Sequence, residues 1–359
     1  MKLLEPLDLG PLRLPNRIVM APLTRRRASF GKIPTELMAE HYAQRAGAGL
    51  IISESTEVDP HTAPDTPTRP GLFNSAQCDG WRRVTERVHQ AGGRIFVQLS
   101  HLGRAAHPLM LTGRAEPVGP SSIAASGSAY TREGLLPFPV PRTLPLRDIR
   151  RIVDQFAQAA SLALKAGFDG VEIHGANGYL IDQFLRSGSN QRTDDYGGGA
   201  QNRSRFLLEV TEAVAAIWGV ERIGVRLSPW SDFNGMSDRH PVETFTYAIE
   251  ALDQLGVGYV HLVEPVDQKH PLAPKLRSRF GGALIVAGGY GRDTGEAALA
   301  AGTTDLVAFG AGFIANPDLP ERFRHNAPLN PADRATFYGG GAAGYTDYPA
   351  LLPQAEPCA

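Results

Sequence analysis

Short runs dense in valine, isoleucine and leucine recur along the chain, separated by longer stretches in which apolar residues return every three or four positions. Period two suits a strand and period 3.6 a helix. The short runs predict strands at 17–23, 50–54, 94–99, 170–173, 223–227, 259–263, 283–287 and 305–309, and the amphipathic stretches predict helices at 35–46, 79–91, 146–166, 201–218, 241–255 and 294–301. Glycines at 47, 92, 167, 256 and 302 stand where a left-handed residue would close a helix and return the chain to the sheet. Strands alternating with helices imply a parallel sheet, and at this length the closed solution is an α/β (β/α)₈ barrel forming a single domain over residues 1–359. An open doubly wound sheet would need a domain break, and no linker interrupts the rhythm. Two segments fall outside it. Residues 1–15 carry two apolar pieces around Gly10-Pro11, which predicts a β-hairpin lid on the barrel's N-terminal end. Residues 101–145 hold seven prolines and follow the third strand, so they predict a long irregular loop over the catalytic face.

Barrel enzymes carry their chemistry where strands end. Those positions here are Thr24, Ser55, Gln98, His174, Arg226, Gly288-Gly289 and Gly310. The glycines after strands seven and eight suit a phosphate held by backbone N–H groups, although glycines there also serve tight turns. Strand four and its exit, Gly170 to Tyr179, are the most informative stretch. Alternation sets Glu172 and His174 on one face, and two glycines after His174 let Asn177 and Tyr179 turn back over the barrel mouth. An imidazole and a carboxamide are neutral donors able to grip one oxygen, and a phenol can deliver a proton. The run Gly339 to Gly344 matches G-x-G-x-x-G but lacks the preceding strand and following acid of a dinucleotide fold.

Charge narrows the classes. Thirty-six Lys and Arg nearly cancel 37 Asp and Glu, for a net charge of −1, so no broad field favours nucleic acid or an anionic membrane. No apolar stretch of about 18 residues occurs, and the N-terminus lacks a signal-peptide core, which points to a cytoplasmic protein. Cys78 and Cys358 are too few for a disulfide framework, a zinc cluster or an iron–sulfur ligand set. A metal-dependent barrel hydrolase built on His174 would need further ligands at strand ends, and no HExxH motif offers them.

With those residues in view, the chain resembles the Old Yellow Enzyme family of flavin-dependent ene-reductases over essentially its whole length. The matching blocks are MAPLTR from Met20, HYAQRAGAGLIISE from His41, Gln98-Leu99, HGANGYLIDQFL from His174, RTDDYGG from Arg192, VRLSP from Val225, FIANPDL from Phe313 and FYGGGAAGYTDYP from Phe337. The resemblance implies non-covalent FMN, reduced by NADH or NADPH and reoxidised by an activated alkene. It implies that Pro22, Leu23, Thr24, Ser55, Gln98 and Arg226 line the isoalloxazine, and that Gly288, Gly289, Gly310 and Ala311 surround the phosphate. It implies that His174 and Asn177 bind the substrate oxygen, that Tyr179 is the proton donor, and that Ser100 and Tyr345 belong to the substrate pocket. Three positions depart from the family pattern. Ala311 stands where an arginine usually meets the phosphate, with Arg292 a candidate replacement; Ser100 replaces a tryptophan common in one branch; Ser55 replaces a common alanine. The first departure admits a second reading, a flavin-binding barrel whose catalysis has lapsed.

Overall fold

The computed structural model describes residues 1–62, 69–265 and 271–351. The chain opens with β1 (Leu7–Leu9) and β2 (Leu12–Leu14), an antiparallel hairpin turning at Gly10. Next come β3 (Ile18–Met20), α1 (Glu36–Ala43), β4 (Leu50–Ile52), the two-residue β5 (Thr56–Glu57), α2 (Ser75–Gln90) and β6 (Ile95–Ser100). The following connection contains β7 (Val118–Gly119), the hairpin β8 (Ser128–Thr131) and β9 (Gly134–Pro137), and β10 (Arg142–Thr143). The rest alternates: α3 (Leu146–Lys165), β11 (Gly170–Gly175), α4 (Leu180–Leu185), α5 (Ala200–Trp218), β12 (Ile223–Leu227), α6 (Pro241–Leu255), β13 (Tyr259–Val263), α7 (Ala273–Leu276) and β14 (Ala283–Ala287). It ends with α8 (Arg292–Ala300), β15 (Leu306–Phe309), α9 (Ala311–Ala315) and α10 (Leu319–His325). Parallel pairing runs β3, β4, β6, β11, β12, β13, β14, β15 and back to β3, closing the eight-stranded barrel expected from the alternation.

The side-chain period of two sorts each strand between two cores. Val171 and Ile173 of β11, Val225 and Leu227 of β12 and Val260 and Leu262 of β13 face the helices, packed with Phe156, Phe206 and Phe245. Val19, Leu50, Ile52, Phe96, Tyr259 and Ile285 fill the interior in one cluster with Leu9 and Leu14 of the hairpin. Each such fully buried aliphatic or aromatic side chain contributes about 1.5–3 kcal/mol.

Differences from the expected elements have local causes. α2 begins at Ser75 rather than 79 because the Asn74 side chain accepts from the Gln77 amide and caps it. The connection from 101 to 145 is not irregular throughout: β8 and β9 pair antiparallel, and β7 pairs with β10. Gly92, Gly167, Gly256 and Gly302 have positive φ after their helices, whereas Gly47 does not. No helix among the described residues is long and apolar enough to cross a membrane.

Candidate active site

Two cavities open beside the C-terminal ends of the strands and share Pro22 and Arg226. One, of about 330 Å³, is lined by Pro22, Thr24, Ser55, Gln98, His174, Asn177, Tyr179, Arg226, Ser231 and Phe233. The other, of about 520 Å³, is lined by Leu23, Gly288, Gly289, Gly310 and Ala311 among others. The structure therefore gathers, from separate strands, nearly every residue singled out in the sequence.

Buried polar groups fix the elements that present them. After β3, the backbone amides of Arg25 and Arg26 donate to Glu54 Oε2 at 3.0 and 3.2 Å, which sets the loop carrying Thr24. Burial pushes the Glu54 carboxyl above its ordinary range, and those two amides oppose the rise. Inside the barrel, Gln98 donates from Nε2 to Glu172 Oε1, and Tyr259 and His261 bond the other carboxylate oxygen.

The turn after β11 brings His174, Asn177 and Tyr179 together. Asn177 sits at φ 56°, a left-handed conformation that asparagine tolerates better than most residues, and its amide donates to Ser228 Oγ at 2.8 Å. Gly178, also left-handed, donates to Asp182 Oδ2 at 2.8 Å, and Asn234 Nδ2 donates to the Asn177 carbonyl. Tyr179 then stands at the N-terminus of α4, its ring centroid 5.0 Å from that of His174. Burial, then Arg226, Arg69 and His261, hold the His174 imidazole well below its ordinary value of 6.5, so it is neutral. His174 Nδ1 and Arg226 Nε are buried without a hydrogen-bond partner among the described residues. Such atoms are costly unless a ligand satisfies them, and both belong to residues lining the cavity of about 330 Å³.

The second cavity suits a phosphate-bearing tail. Gly288 lies at φ 126°, and a Cβ there would fall 2.1 Å from the Glu264 carbonyl, so only glycine brings the backbone this close. Arg292 lines the same cavity, with Nε donating to the Phe323 carbonyl and Nη1 to Asp293 at 2.8 Å. Its Nη2 has no protein partner among the described residues, and no arginine stands at Ala311.

Two residues expected in the substrate pocket lie elsewhere. Ser100 Oγ pairs with Ser55 Oγ at 2.6 Å and lines a neighbouring cavity of about 220 Å³ with Glu57, Asp59 and His101. Strand β5, pairing Glu57 with Ser100, takes up that end of β6. Tyr345 is fully buried and stacks on His41 with ring centroids 3.8 Å apart and planes within 8°. Arg25 and Arg27 flank its other contacts and hold the glycine-rich segment by bonds to the carbonyls of Gly344 and Gly341, so that run is an anchored coil.

Ser231 and Phe233 line the cavity and Arg69 lies behind it against Tyr179, and none of the three had a sequence signal. The first two follow Arg226-Leu227-Ser228 in an unpatterned loop, and Arg69 precedes Pro70-Gly71, which reads only as a turn. Among the described residues, no group of three or more His, Cys, Asp or Glu side chains could hold a metal ion.

The chain is similar to known proteins over nearly its whole length. The chain is 43% identical over 361 residues to 12-oxophytodienoate reductase 1 of Oryza sativa subsp. japonica, covering 97% of this chain and 93% of that protein. It is 42% identical over 355 residues to a probable flavin mononucleotide-dependent alkene reductase of Leishmania infantum, covering 97% of each. The structure of morphinone reductase in complex with tetrahydroNAD superposes with a TM-score of 0.93 at 44% identity, over 100% of both chains. The model of the NADH:flavin oxidoreductase / NADH oxidase family matches residues 2–330, and the chain belongs to that family, the Old Yellow Enzyme family.

Proposed function

We propose that this protein reduces the carbon–carbon double bond of activated alkenes (enones, enals, maleimides and nitroalkenes), using NADH or NADPH through bound FMN. The observation that carries the reading is the convergence of His174, Asn177 and Tyr179 on the cavity also lined by Thr24, Gln98 and Arg226. That cavity shares Pro22 and Arg226 with the glycine-lined one. Thr24, Gln98 and Arg226 would hold the isoalloxazine, with Arg226 a cation for its N1–O2 edge, and the backbone at Gly288, Gly289 and Gly310 would hold the phosphate. Bound FMN supplies the hydride, accepted from the nicotinamide and delivered to the alkene β-carbon. The morphinone reductase relative was solved with a nicotinamide analogue, and the Leishmania relative is described as an alkene reductase, which supports both half-reactions.

The chain's own residues then act on the alkene. His174 and Asn177 donate to its carbonyl or nitro oxygen, and because His174 is neutral it stabilises the charge arriving there without surrendering a proton. Prepositioned donors of this kind are worth about 3–4 kcal/mol each. Tyr179 donates its proton to the α-carbon, a step worth roughly 10²–10⁴-fold. The connection between β6 and α3 covers the mouth in this reading: Tyr130 of β8 and Tyr338 stack on Arg26, two residues beyond Thr24. Tyr179→Phe tests the assignment by rapid mixing. Flavin bleaching by NADPH keeps its rate while recolouring by 2-cyclohexenone slows; equal losses in both halves overturn it.

A further inference from the structure

Behind Tyr179 lies a row of charge that the reaction as described does not use. Arg69 Nη2 donates to the Tyr179 phenol oxygen at 2.9 Å, and its guanidinium carbon lies 5.3 Å from the centre of that ring. Arg69 Nη1 is 3.8 Å from Glu57 Oε1, and Glu57 Oε2 is 2.8 Å from Lys32 Nζ. The side chains of Lys32 and Glu57 are 2% and 3% exposed, and that of Arg69 is 12% exposed. The backbone beside Arg69 is pinned as well: Glu57 donates to the Pro70 carbonyl, Leu72 donates back to Glu57, and Gly71 donates to Lys32. These bonds tie the backbone next to Arg69 to Glu57 and Lys32.

We propose that Arg69 is a positioning residue for Tyr179, turning the phenol's own proton toward the substrate and supporting the charge left when that proton departs. The inference rests on reading Tyr179 as the acid. Arginine has donors and no acceptor, so the phenol oxygen can only accept from it. The phenol hydrogen therefore points away from Arg69. In the transfer, the Tyr179 O–H bond breaks with its electron pair remaining on oxygen, and the enolate pair forms the new C–H bond at the α-carbon. Water then restores the phenol. A hydrogen bond from a cation to the developing phenolate is stronger than one to the phenol, so Arg69 favours the later state. Glu57 fixes the guanidinium, and Lys32 on its far oxygen limits how much Arg69 charge it cancels.

The test uses the FMN-loaded enzyme and the two half-reactions followed separately. Arg69→Met slows recolouring by saturating 2-cyclohexenone by roughly 10- to 100-fold, the range of a charge-assisted hydrogen bond. Bleaching by NADPH stays within about twofold. Arg69→Lys, which keeps the charge, recovers part of the rate and guards against a variant that simply folds poorly. In a Tyr179→Phe background, Arg69→Met has no further effect on recolouring. An unchanged recolouring rate, or equal slowing with and without the phenol, overturns the role of Arg69. If Tyr179→Phe alone leaves recolouring untouched, the acid assignment itself fails, and the inference falls with it.

Discussion

Gln98 and Glu172, on adjacent strands β6 and β11, are joined by a 2.7 Å bond from Nε2 to Oε1 inside the barrel. A carboxylate only accepts, so the bond decides which way round the Gln98 amide sits. Burial would raise the Glu172 carboxyl, but the neighbouring His261, together with Arg226 and Gln98, holds it below its ordinary range. It is therefore an anion, receiving Gln98, Tyr259 and His261 together. Glu172→Gln removes that charge and can satisfy only part of the set. Stability should fall by about 1–3 kcal/mol, the cost of buried polar groups left unpaired. FMN should bind more weakly with a shifted absorption band, because the Gln98 amide is freed to turn over. Unchanged FMN affinity, by flavin-fluorescence titration, would exclude this role for the bond.

Arg292 lines the glycine-rich cavity that Ala311 also lines, and the shared Arg226 is a second cation there. An arginine–phosphate bond is worth more than a neutral one. Arg292→Ala should raise the FMN dissociation constant roughly 10- to 100-fold, as expected for a charge-assisted hydrogen bond. Ala311→Arg should lower it, and in that background Arg292→Ala should cost less. Riboflavin, which lacks the phosphate, is the control, since its affinity should not respond to Arg292. If riboflavin weakens as much as FMN, Arg292 acts through the fold and not through the phosphate.

The barrel was readable because each strand is a dense aliphatic run bounded by helices with caps and closing glycines. The six-residue α4 and the five-residue α9 are too short to establish a 3.6-residue period, and the sequence showed neither. Site residues at strand ends were legible for the same reason: Gln98, His174 and Arg226 follow apolar runs that locate the barrel rim. Direction was the weak point. Alternation puts Ser100 on the same face as Gln98, yet the pairing of β5 with that end of β6 commits its hydroxyl to Ser55. Tyr345 shares a motif block with glycines near the mouth, but the hydrogen bonds of Arg25 and Arg27 draw that block down onto His41. Arg69 illustrates the limit best, because its partner Tyr179 is 110 positions away in the chain and no periodicity links the two.

His41 makes part of the acid stability predictable. Its ring is buried against Tyr345, and Nδ1 bonds the Tyr345 carbonyl at 3.0 Å. Burial, then Arg45 and Arg25, depress the imidazole well below its ordinary 6.5. The unfolded chain takes up a proton near 6.5 while the folded one refuses it, so this contribution is whole above that pH and is lost progressively as pH falls below it. The slope is about 1.4 kcal/mol per pH unit for one such group. The carboxyls of Glu54, Asp182 and Glu264, raised by burial, act in the opposite sense, so the readout is a comparison. Between pH 6.5 and 5, the urea midpoint of the wild type should fall faster than that of His41→Phe, which keeps a ring and removes the titration. Parallel slopes would remove His41 from the account.

A substitution at Gly178 would separate the proposed substrate chemistry from the proposed flavin site. At φ 72° an L-residue is strained, and a Cβ would stand 2.7 Å from the Phe233 carbonyl and 2.8 Å from Asn234 Cβ. Gly178→Ala must therefore shift the turn, and the neighbours that move with it are Asn177 and Tyr179. Thr24, Gln98 and Arg226, and the glycines at 288 and 289, ride on other strands and loops. The strain should cost about 1–2 kcal/mol of stability, the penalty for the left-handed conformation, while FMN affinity and bleaching by NADPH stay near wild type. Recolouring by enone should fall by at least roughly tenfold, because displacements on the order of 1 Å in positioned groups cost that much or more. Loss of FMN binding in step with recolouring would mean that the turn supports the whole barrel mouth, and the proposed division of labour would not stand.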